Sequence, residues 1–190
     1  MCADPEIVDE DNFPNVSDSY VPTIIIFDGI TTSIGSVGAS IIRENYRAEP
    51  RSKIRLIINS PGGEVHPALA LIEIMKASLI PIETIAMGEC SSAALMIFMA
   101  GTKGFRIVTK SCTLMSHVFS SEISGTYWNM KQHHSESDAM YDTILRLYVD
   151  STGKSKKQIE KTLLSKIDTW ISPEQAVQYG IADCVGTIEF

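Results

Sequence analysis

The chain has 190 residues, 44% of them hydrophobic and 21% charged, which predicts one globular domain with a sizeable buried core. Its net charge of −7 argues against nucleic acid as a main partner. The longest apolar run, AALMIFMAG, is too short to span a membrane, so we expect a soluble, cytoplasmic protein with no membrane partner.

Residues 1–20 differ from the rest of the chain because they hold six acidic side chains and no basic one. This composition predicts a mobile, solvated N-terminal arm. Residues 21–190 then form the single folded domain.

From residue 22 onward, short apolar runs rich in β-branched residues alternate with amphipathic stretches. Three such strand and helix pairs follow one another: PTIIIFDG with IGSVGASIIRENY, KIRLIINS with EVHPALALIEIMKAS, and IPIETIAM with SSAALMIFMAG. Strands that are apolar throughout need cover on both faces, and strand and helix repeats supply it around a parallel sheet. The fold class is therefore α/β, with the chemistry expected near the carboxyl ends of the strands.

Two further strands, FRIVTK and CTLMSHV, precede a long helical pattern that starts at about Thr126 and stops at Gly153. The first half of this helix is too polar to be buried, so it should project from the domain and contact another subunit. KSKKQIEKTLLSKI and SPEQAVQYG complete the predicted helices, the second with Ser172 as its cap and Pro173 at its first position.

The stretch AMGECSSAALM places Ser91 and Ser92 where a predicted strand gives way to a predicted helix. A nucleophilic serine needs such a sharp junction, with free N–H groups near a developing oxyanion. An isolated pair of serines at this position more often caps the helix. The chain has no GxSxG motif, which argues against an ordinary α/β-hydrolase.

The stretch NSPGGEV follows the strand KIRLIINS directly. Pro61 fixes a turn, and Gly62 and Gly63 leave the backbone open to the close approach of another chain or an oxyanion. Taken alone, such a turn is most often only a tight turn.

Four features occur together in one order: INSPGG, then MGxxxS, then a strand that ends in MxH, then IDTWISPEQAVQYGIAD. In this order and at these spacings they resemble the ClpP family of serine peptidases, over residues 22–185. The resemblance implies a ClpP/crotonase-like fold of repeated strand and helix units, with a protruding handle helix around residues 118–150.

The resemblance also implies roles for individual residues. Ser92 matches the family's nucleophile, His117 its general base, and Asp168 the carboxylate that orients the imidazole. The N–H groups of Gly63 and Ala93 match the oxyanion hole.

Residues 62–65 and 118–121 would hold an extended peptide by main-chain hydrogen bonds. The substrate-binding residues implied are Gly62, Gly63, Val65, Val118, Phe119 and Ser120.

The function implied is that of a serine endopeptidase, the proteolytic subunit of an ATP-dependent Clp-type protease. It would self-associate into two stacked rings, a tetradecamer, and cut short peptides and unfolded polypeptides inside the chamber. The implied partners are an AAA+ unfoldase and a paralogous ClpP subunit, and no cofactor or metal is implied.

The segment HVFSSEISG departs from the family pattern, because serines stand where flexible glycines are usual on the handle strand. Two alternatives stay open. One is a catalytically weak structural or regulatory ring subunit that assembles with a paralogue. The other is an acyl-CoA enzyme of the related crotonase fold, whose PGG loop would polarise a thioester carbonyl without help from Ser92.

The remaining histidines and the cysteines are weaker candidates for a site. His66 should be partly exposed at a helix start, and His133 and His134 should lie on a solvated or subunit-contacting face and not bind a metal. The four cysteines lack ligand spacing, so free buried thiols are expected in preference to disulfides or zinc.

Overall fold

A computed structural model describes residues 21–47 and 53–188, so the predicted acidic arm lies outside the described residues. The strands are β1 Thr23–Ile26, β2 Ile54–Ser60, β3 Ile82–Ser91, β4 Arg106–Val108, β5 Thr113–Ser116, β6 Thr169–Ile171 and β7 Cys184–Val185. The helices are α1 Gly35–Asn45, α2 Val65–Lys76, α3 Ala93–Met99, α4 Tyr127–Thr152, α5 Lys156–Thr162 and α6 Pro173–Tyr179, with a short 3₁₀ helix at Thr32–Ile34. The predicted α/β class is confirmed.

The sheet is parallel along the order β1-β2-β3-β4-β7. β5 pairs with the carboxyl-terminal end of β3, and β6 pairs with β5. β3 serves both parts: its residues 84–86 pair with β4, and its residues 89–91 pair with β5. Gly88 lies between them at φ 61°, where a Cβ would lie 2.6 Å from Asn59 Oδ1. Asn59 Oδ1 also accepts a hydrogen bond from the Glu89 N–H at 3.0 Å, which holds β3 in this conformation at Gly88.

The core lies between this sheet and the helices. All seven residues of α3 are buried, and β2 is buried along almost its whole length. Each large apolar side chain removed from water in this way stabilises the fold by roughly 1.5–3 kcal/mol. The expectation that the apolar strands are covered on both faces is met around β2 and β3.

Helix α4 behaves as its sequence predicts. Thr126 caps its start by accepting a hydrogen bond from the Asn129 N–H, and Gly153 ends it at φ 70°. The buried side chains of α4 begin at Ile144, so its first half projects from the domain. α6 likewise begins with the predicted Ser172 cap and Pro173.

Helix α5 is shorter than KSKKQIEKTLLSKI suggests, since it ends at Thr162. Leu163 and Leu164 turn into the core instead, and the Leu163 carbonyl accepts a hydrogen bond from Ser116 Oγ at 2.7 Å. Tertiary packing thus overrides a sequence with good helix propensity.

The cysteines divide into two kinds. Cys90 and Cys112 are free and buried, as expected, whereas Cys184 is disulfide-bonded, so the preference for free thiols is wrong at that position. Burial raises the pKa of the Cys90 thiol well above its ordinary value, and that of Cys112 to about 12. Across the described residues, no helix is both long and apolar enough to cross a membrane.

Candidate active site

The junction between β3 and α3 is a single residue, Ser92. β3 runs through Ser91 and α3 starts at Ala93, so the predicted strand IPIETIAM ends four residues too early and the predicted helix SSAALMIFMAG begins two residues too early. Ser92 has φ 54° and ψ −122°, and among the described residues other than glycine it alone has a positive φ. Such a conformation costs on the order of 1–3 kcal/mol and persists only where its surroundings hold it.

Neither serine caps α3. The Ser92 side chain makes no capping hydrogen bond, and Ser91 is the buried last residue of β3, whose Oγ donates to Glu89 Oε1 at 3.0 Å. The alternative reading of the pair as a helix cap is therefore wrong.

The strand register brings three distant residues together. Ser91 pairs with Met115 across the parallel β3 and β5, and Ser116 pairs with Thr169 across the antiparallel β5 and β6. Continuing the antiparallel pairing by one residue sets Asp168 opposite His117, and continuing the parallel pairing by one residue sets Ser92 beside Ser116, the neighbour of His117. The Ser92 N–H donates to the Met115 carbonyl at 2.9 Å and fixes this alignment.

The side chains meet as the register implies. Ser92 Oγ lies 2.7 Å from His117 Nε2, a hydrogen-bond distance, and His117 Nδ1 lies 3.4 Å from Asp168 Oδ1. The second contact is long for a hydrogen bond, and the Asp168 side chain is 57% exposed. Such contacts are often long in an enzyme without substrate and tighten when substrate binds. An alcohol, an imidazole and a carboxylate in this order can activate the alcohol as a nucleophile.

The glycine turn lies against Ser92. Gly62 has φ 93°, and a Cβ on it would lie 2.8 Å from Ser92 Cβ and 3.0 Å from the Ala93 nitrogen. Gly63, at φ 147°, is held by Ile30, whose N–H donates to the Gly62 carbonyl and whose carbonyl accepts from the Glu64 N–H, both at 2.8 Å. Only glycine fits at either position, because a Cβ on Gly63 would lie 2.3 Å from the Ile30 carbonyl oxygen.

Comparison with known proteins gives the family of the chain. The family model described as Clp protease matches residues 23–189.

The chain belongs to the Clp protease family.

Two curated relatives give the same result. The chain is 33% identical to ATP-dependent Clp protease proteolytic subunit 3 of Streptomyces coelicolor, over 72% of this chain and 62% of the relative. It is 30% identical to the ATP-dependent Clp protease proteolytic subunit of Deinococcus radiodurans, over 72% of this chain and 66% of the relative. The chain thus spans less than two thirds of the length of each relative. The resemblance drawn from the sequence motifs is confirmed.

The residues that the Clp protease resemblance assigns to an oxyanion hole lie at the junction. Gly63 is exposed, and within residues 21–47 and 53–188 neither its N–H nor that of Ala93 donates a hydrogen bond. Ala93 follows Ser92 directly, and Gly63 follows Gly62, which lies against Ser92.

The predicted substrate-binding residues follow the same two segments. Val65 begins α2, two residues after Gly63, and Val118 and Phe119 follow His117 in an irregular stretch. These three are partly buried, and Ser120 is exposed. The stretch from 117 to 125 contains no strand.

Two supporting residues were missed from the sequence. Ile30 holds the glycine turn, and Ser60 Oγ accepts a hydrogen bond from the Gly62 N–H at 3.2 Å. Their positions, just after β1 and at the end of β2, carry no local motif, so only the tertiary contact identifies them.

The other histidines lie on exposed helix surfaces. Groups of three or more metal-ligating side chains are absent from the described part of the chain. His133 Nδ1 lies 3.6 Å from Glu136 Oε2 on an exposed face of α4, and His66 is exposed at the start of α2, both as expected.

Proposed function

We propose that this chain is a serine endopeptidase, the proteolytic subunit of an ATP-dependent Clp-type protease. Ser92 is the nucleophile, His117 the general base, and Asp168 the carboxylate that orients the imidazole. The observation that carries the proposal is the 2.7 Å contact between Ser92 Oγ and His117 Nε2, made by a serine held at a strained strand-to-helix junction. Strain of this kind accumulates at functional sites.

In the first half of the reaction, Ser92 Oγ attacks the carbonyl carbon of the scissile peptide bond, and its proton passes to His117 Nε2. The carbonyl oxygen becomes an oxyanion that accepts hydrogen bonds from the N–H groups of Gly63 and Ala93. The imidazolium then gives its proton to the leaving amine as the C–N bond breaks. An acyl ester on Ser92 remains.

In the second half, a water attacks the ester carbonyl and gives a proton to His117 Nε2. The C–O bond to Ser92 breaks, the proton returns to Ser92 Oγ, and the peptide acid leaves. Asp168 keeps the Nδ1 proton of His117 directed toward itself, so that Nε2 is free to accept. The 3.4 Å separation of these two groups shortens when the imidazole becomes charged.

The assembly belongs to the same proposal. The first half of α4 projects from the domain and exposes Tyr127, Trp128 and Met130, large apolar side chains that suit an inter-ring contact. Two stacked rings, together a tetradecamer, would enclose the sites so that short peptides enter freely. Unfolded polypeptides would be delivered by an AAA+ unfoldase in the cytoplasm.

A fluorophosphonate tests the nucleophile directly, because it reacts only with an activated serine. We expect mass spectrometry of the assembled protein to detect one adduct on Ser92, which is absent from Ser92→Ala. Hydrolysis of a fluorogenic peptide should disappear in the same variant.

The other two functions give different results in this experiment. A structural or regulatory ring subunit would form rings without an adduct, and would gain hydrolysis only when mixed with an active paralogue. An acyl-CoA enzyme would bind CoA and keep its activity in Ser92→Ala. Either result would overturn the peptidase proposal.

A further inference from the structure

His117 lies just beyond the last paired residue of β5. The parallel pairing with β3 ends at Met115, and the antiparallel pairing with β6 ends at Ser116. From residue 117 to residue 125 the chain contains neither helix nor strand. The imidazole is therefore carried by a residue outside the paired part of the sheet, and its place relative to Ser92 depends on how firmly Ser116 is held.

The side chain of Ser116 makes two hydrogen bonds inside the core. Ser116 is fully buried, and its Oγ lies 2.7 Å from the Leu163 carbonyl oxygen and 2.8 Å from Tyr148 Oη. A hydroxyl has one proton, and a carbonyl oxygen can only accept. Ser116 therefore donates to Leu163, and Tyr148 donates to Ser116.

Both partners of this hydroxyl are buried parts of the fold. Tyr148 lies in the buried second half of α4 and is 1% exposed. Leu163 follows α5, is fully buried, and donates its N–H to the Ile159 carbonyl at 2.8 Å. The two hydrogen bonds tie the end of β5 to α4 and to the segment that leads on to Asp168.

Small displacements at this point affect both contacts of the imidazole. Ser92 Oγ lies 2.7 Å from His117 Nε2, and Asp168 Oδ1 lies 3.4 Å from His117 Nδ1. A rotation of Ser116 about the strand axis would change both distances, because the next peptide unit carries His117. A misplacement of about 1 Å in a catalytic group can lower the rate by roughly 100-fold.

We propose that Ser116 and Tyr148 are positioning residues for His117. The hydrogen bond from Tyr148 to Ser116 sets the direction in which the end of β5 presents the imidazole to Ser92. Both side chains are buried and act through His117, so neither touches the substrate or a reacting atom. This inference rests on the proposed peptidase function and names two further residues on which its rate depends.

Tyr148→Phe, Ser116→Ala and the double variant of the assembled full chain test this role. Each change removes a hydroxyl and leaves the rest of the side chain in place. Loss of one hydrogen bond loosens the imidazole without releasing it, so kcat for a fluorogenic peptide should fall by roughly tenfold in each single variant. KM should stay within about twofold of the wild type, because the change acts on the chemical step and not on substrate binding.

The double variant shows whether Tyr148 acts through Ser116. Without the Ser116 hydroxyl, the Tyr148 hydroxyl has no hydrogen bond to the end of β5 to make. The double variant should therefore have the same kcat as Ser116→Ala, since the two residues share one interaction. A loss equal to the product of the two single losses would overturn the proposed link.

Thr84→Val is the matched control, because it removes a buried hydroxyl of the same kind. Thr84 is fully buried near the start of β3, and its Oγ1 donates to the Phe98 carbonyl at 2.9 Å. This variant should lose stability in urea, while its kcat should equal that of the wild type. An equal loss of kcat in Thr84→Val and Tyr148→Phe would mean a general loosening of the fold and would overturn the positioning role.

Fluorophosphonate labelling separates this inference from the function on which it rests. The final extent of labelling counts the assembled nucleophiles, and its rate measures how well His117 activates Ser92. We expect Tyr148→Phe to reach the wild-type extent at a roughly tenfold lower rate. An unchanged rate and an unchanged kcat would overturn the positioning role alone. Absence of both labelling and hydrolysis in the wild-type assembly would overturn both proposals.

Discussion

Replacing Gly62 by alanine tests whether the glycine turn supports the candidate oxyanion hole. The added Cβ would lie 2.6 Å from the Ser91 carbonyl oxygen and 2.8 Å from Ser92 Cβ. Neither atom is at the end of a flexible side chain, so the turn itself must move away from Ser92. Because Gly63 is the next residue, its N–H turns away from the position that an oxyanion would occupy.

The size of the effect follows from two contributions. Loss of one oxyanion donor lowers kcat by about 10²–10³-fold, or roughly 2.7–4 kcal/mol. Forcing a side chain onto φ 93° costs the fold on the order of 1–3 kcal/mol. A fold that is stable enough to absorb the second cost should therefore remain folded while its kcat falls by two to three orders of magnitude.

Gly104→Ala is the control because Gly104 has φ 89° with nothing within 4 Å of an added Cβ. It has the same backbone strain without the contact with Ser92. We would measure kcat with a fluorogenic peptide and the free energy of unfolding with urea for both variants. Gly62→Ala should lose at least as much stability as Gly104→Ala, because its Cβ also clashes with Ser91 and Ser92, and only Gly62→Ala should lose about 100-fold or more in kcat.

The reasoning is refuted if Gly62→Ala hydrolyses the peptide within about threefold of Gly104→Ala while both remain folded. That result would mean that the turn and its neighbouring N–H groups contribute little to transition-state stabilisation.

Three further predictions concern Asp168, Ser116 and Tyr148. Asp168→Asn should lower kcat by about 10⁴-fold, because the amide favours the wrong tautomer of the His117 imidazole. Tm should change little, because the Asp168 side chain is mostly exposed. A small effect on kcat in steady-state assays would contradict the role of Asp168. Ser116→Ala should lower the free energy of unfolding in urea by about 1–3 kcal/mol. Ser116 Oγ contacts Tyr148 Oη at 2.8 Å and donates to the Leu163 carbonyl at 2.7 Å, so the variant leaves buried polar groups without a partner. An unchanged free energy of unfolding would contradict this prediction. Burial raises the pKa of the Tyr148 hydroxyl to about 12 from its ordinary 10.0. The stability that comes from keeping this hydroxyl protonated is therefore complete below pH 10 and is lost as the pH rises toward 12. Tyr148→Phe should make the fall in unfolding free energy over this range less steep, and an equally steep fall would count against the prediction.

The parts of the fold that sequence anticipates are those with a local cause. Gly153 ends α4 because glycine adopts a left-handed conformation easily, and Ser172 with Pro173 starts α6 by a local hydrogen bond and a fixed φ. The polar first half of α4 likewise indicates its own exposure. These features depend on residues within one or two turns of each other.

The parts that were missed have non-local causes. β3 continues through Ser91 because β5, more than twenty residues later in the chain, pairs with its end. β6 is three residues long, too short to show a period, and it exists only through its pairing with β5. The disulfide at Cys184 has no spacing signal.

The candidate site shows the same division. Ser92, His117 and Asp168 were assigned through the family motifs, and the register now gives a geometric reason for their meeting. The role of Ile30 in holding Gly63 could not be foreseen, because an isoleucine after a strand carries no signal of that contact.

The pairing of β5 with both β3 and β6 has a consequence for how this protein can change during evolution. The chain between His117 and Asp168 leaves the sheet, forms the projecting half of α4, and returns to the same strand edge. Residues can be inserted in, or removed from, the projecting half without shifting β5 or β6. One extra residue within β5 would move every later side chain to the opposite face. The sheet therefore fixes the length of β5, whereas only the proposed contact with the other ring restricts the outer half of α4.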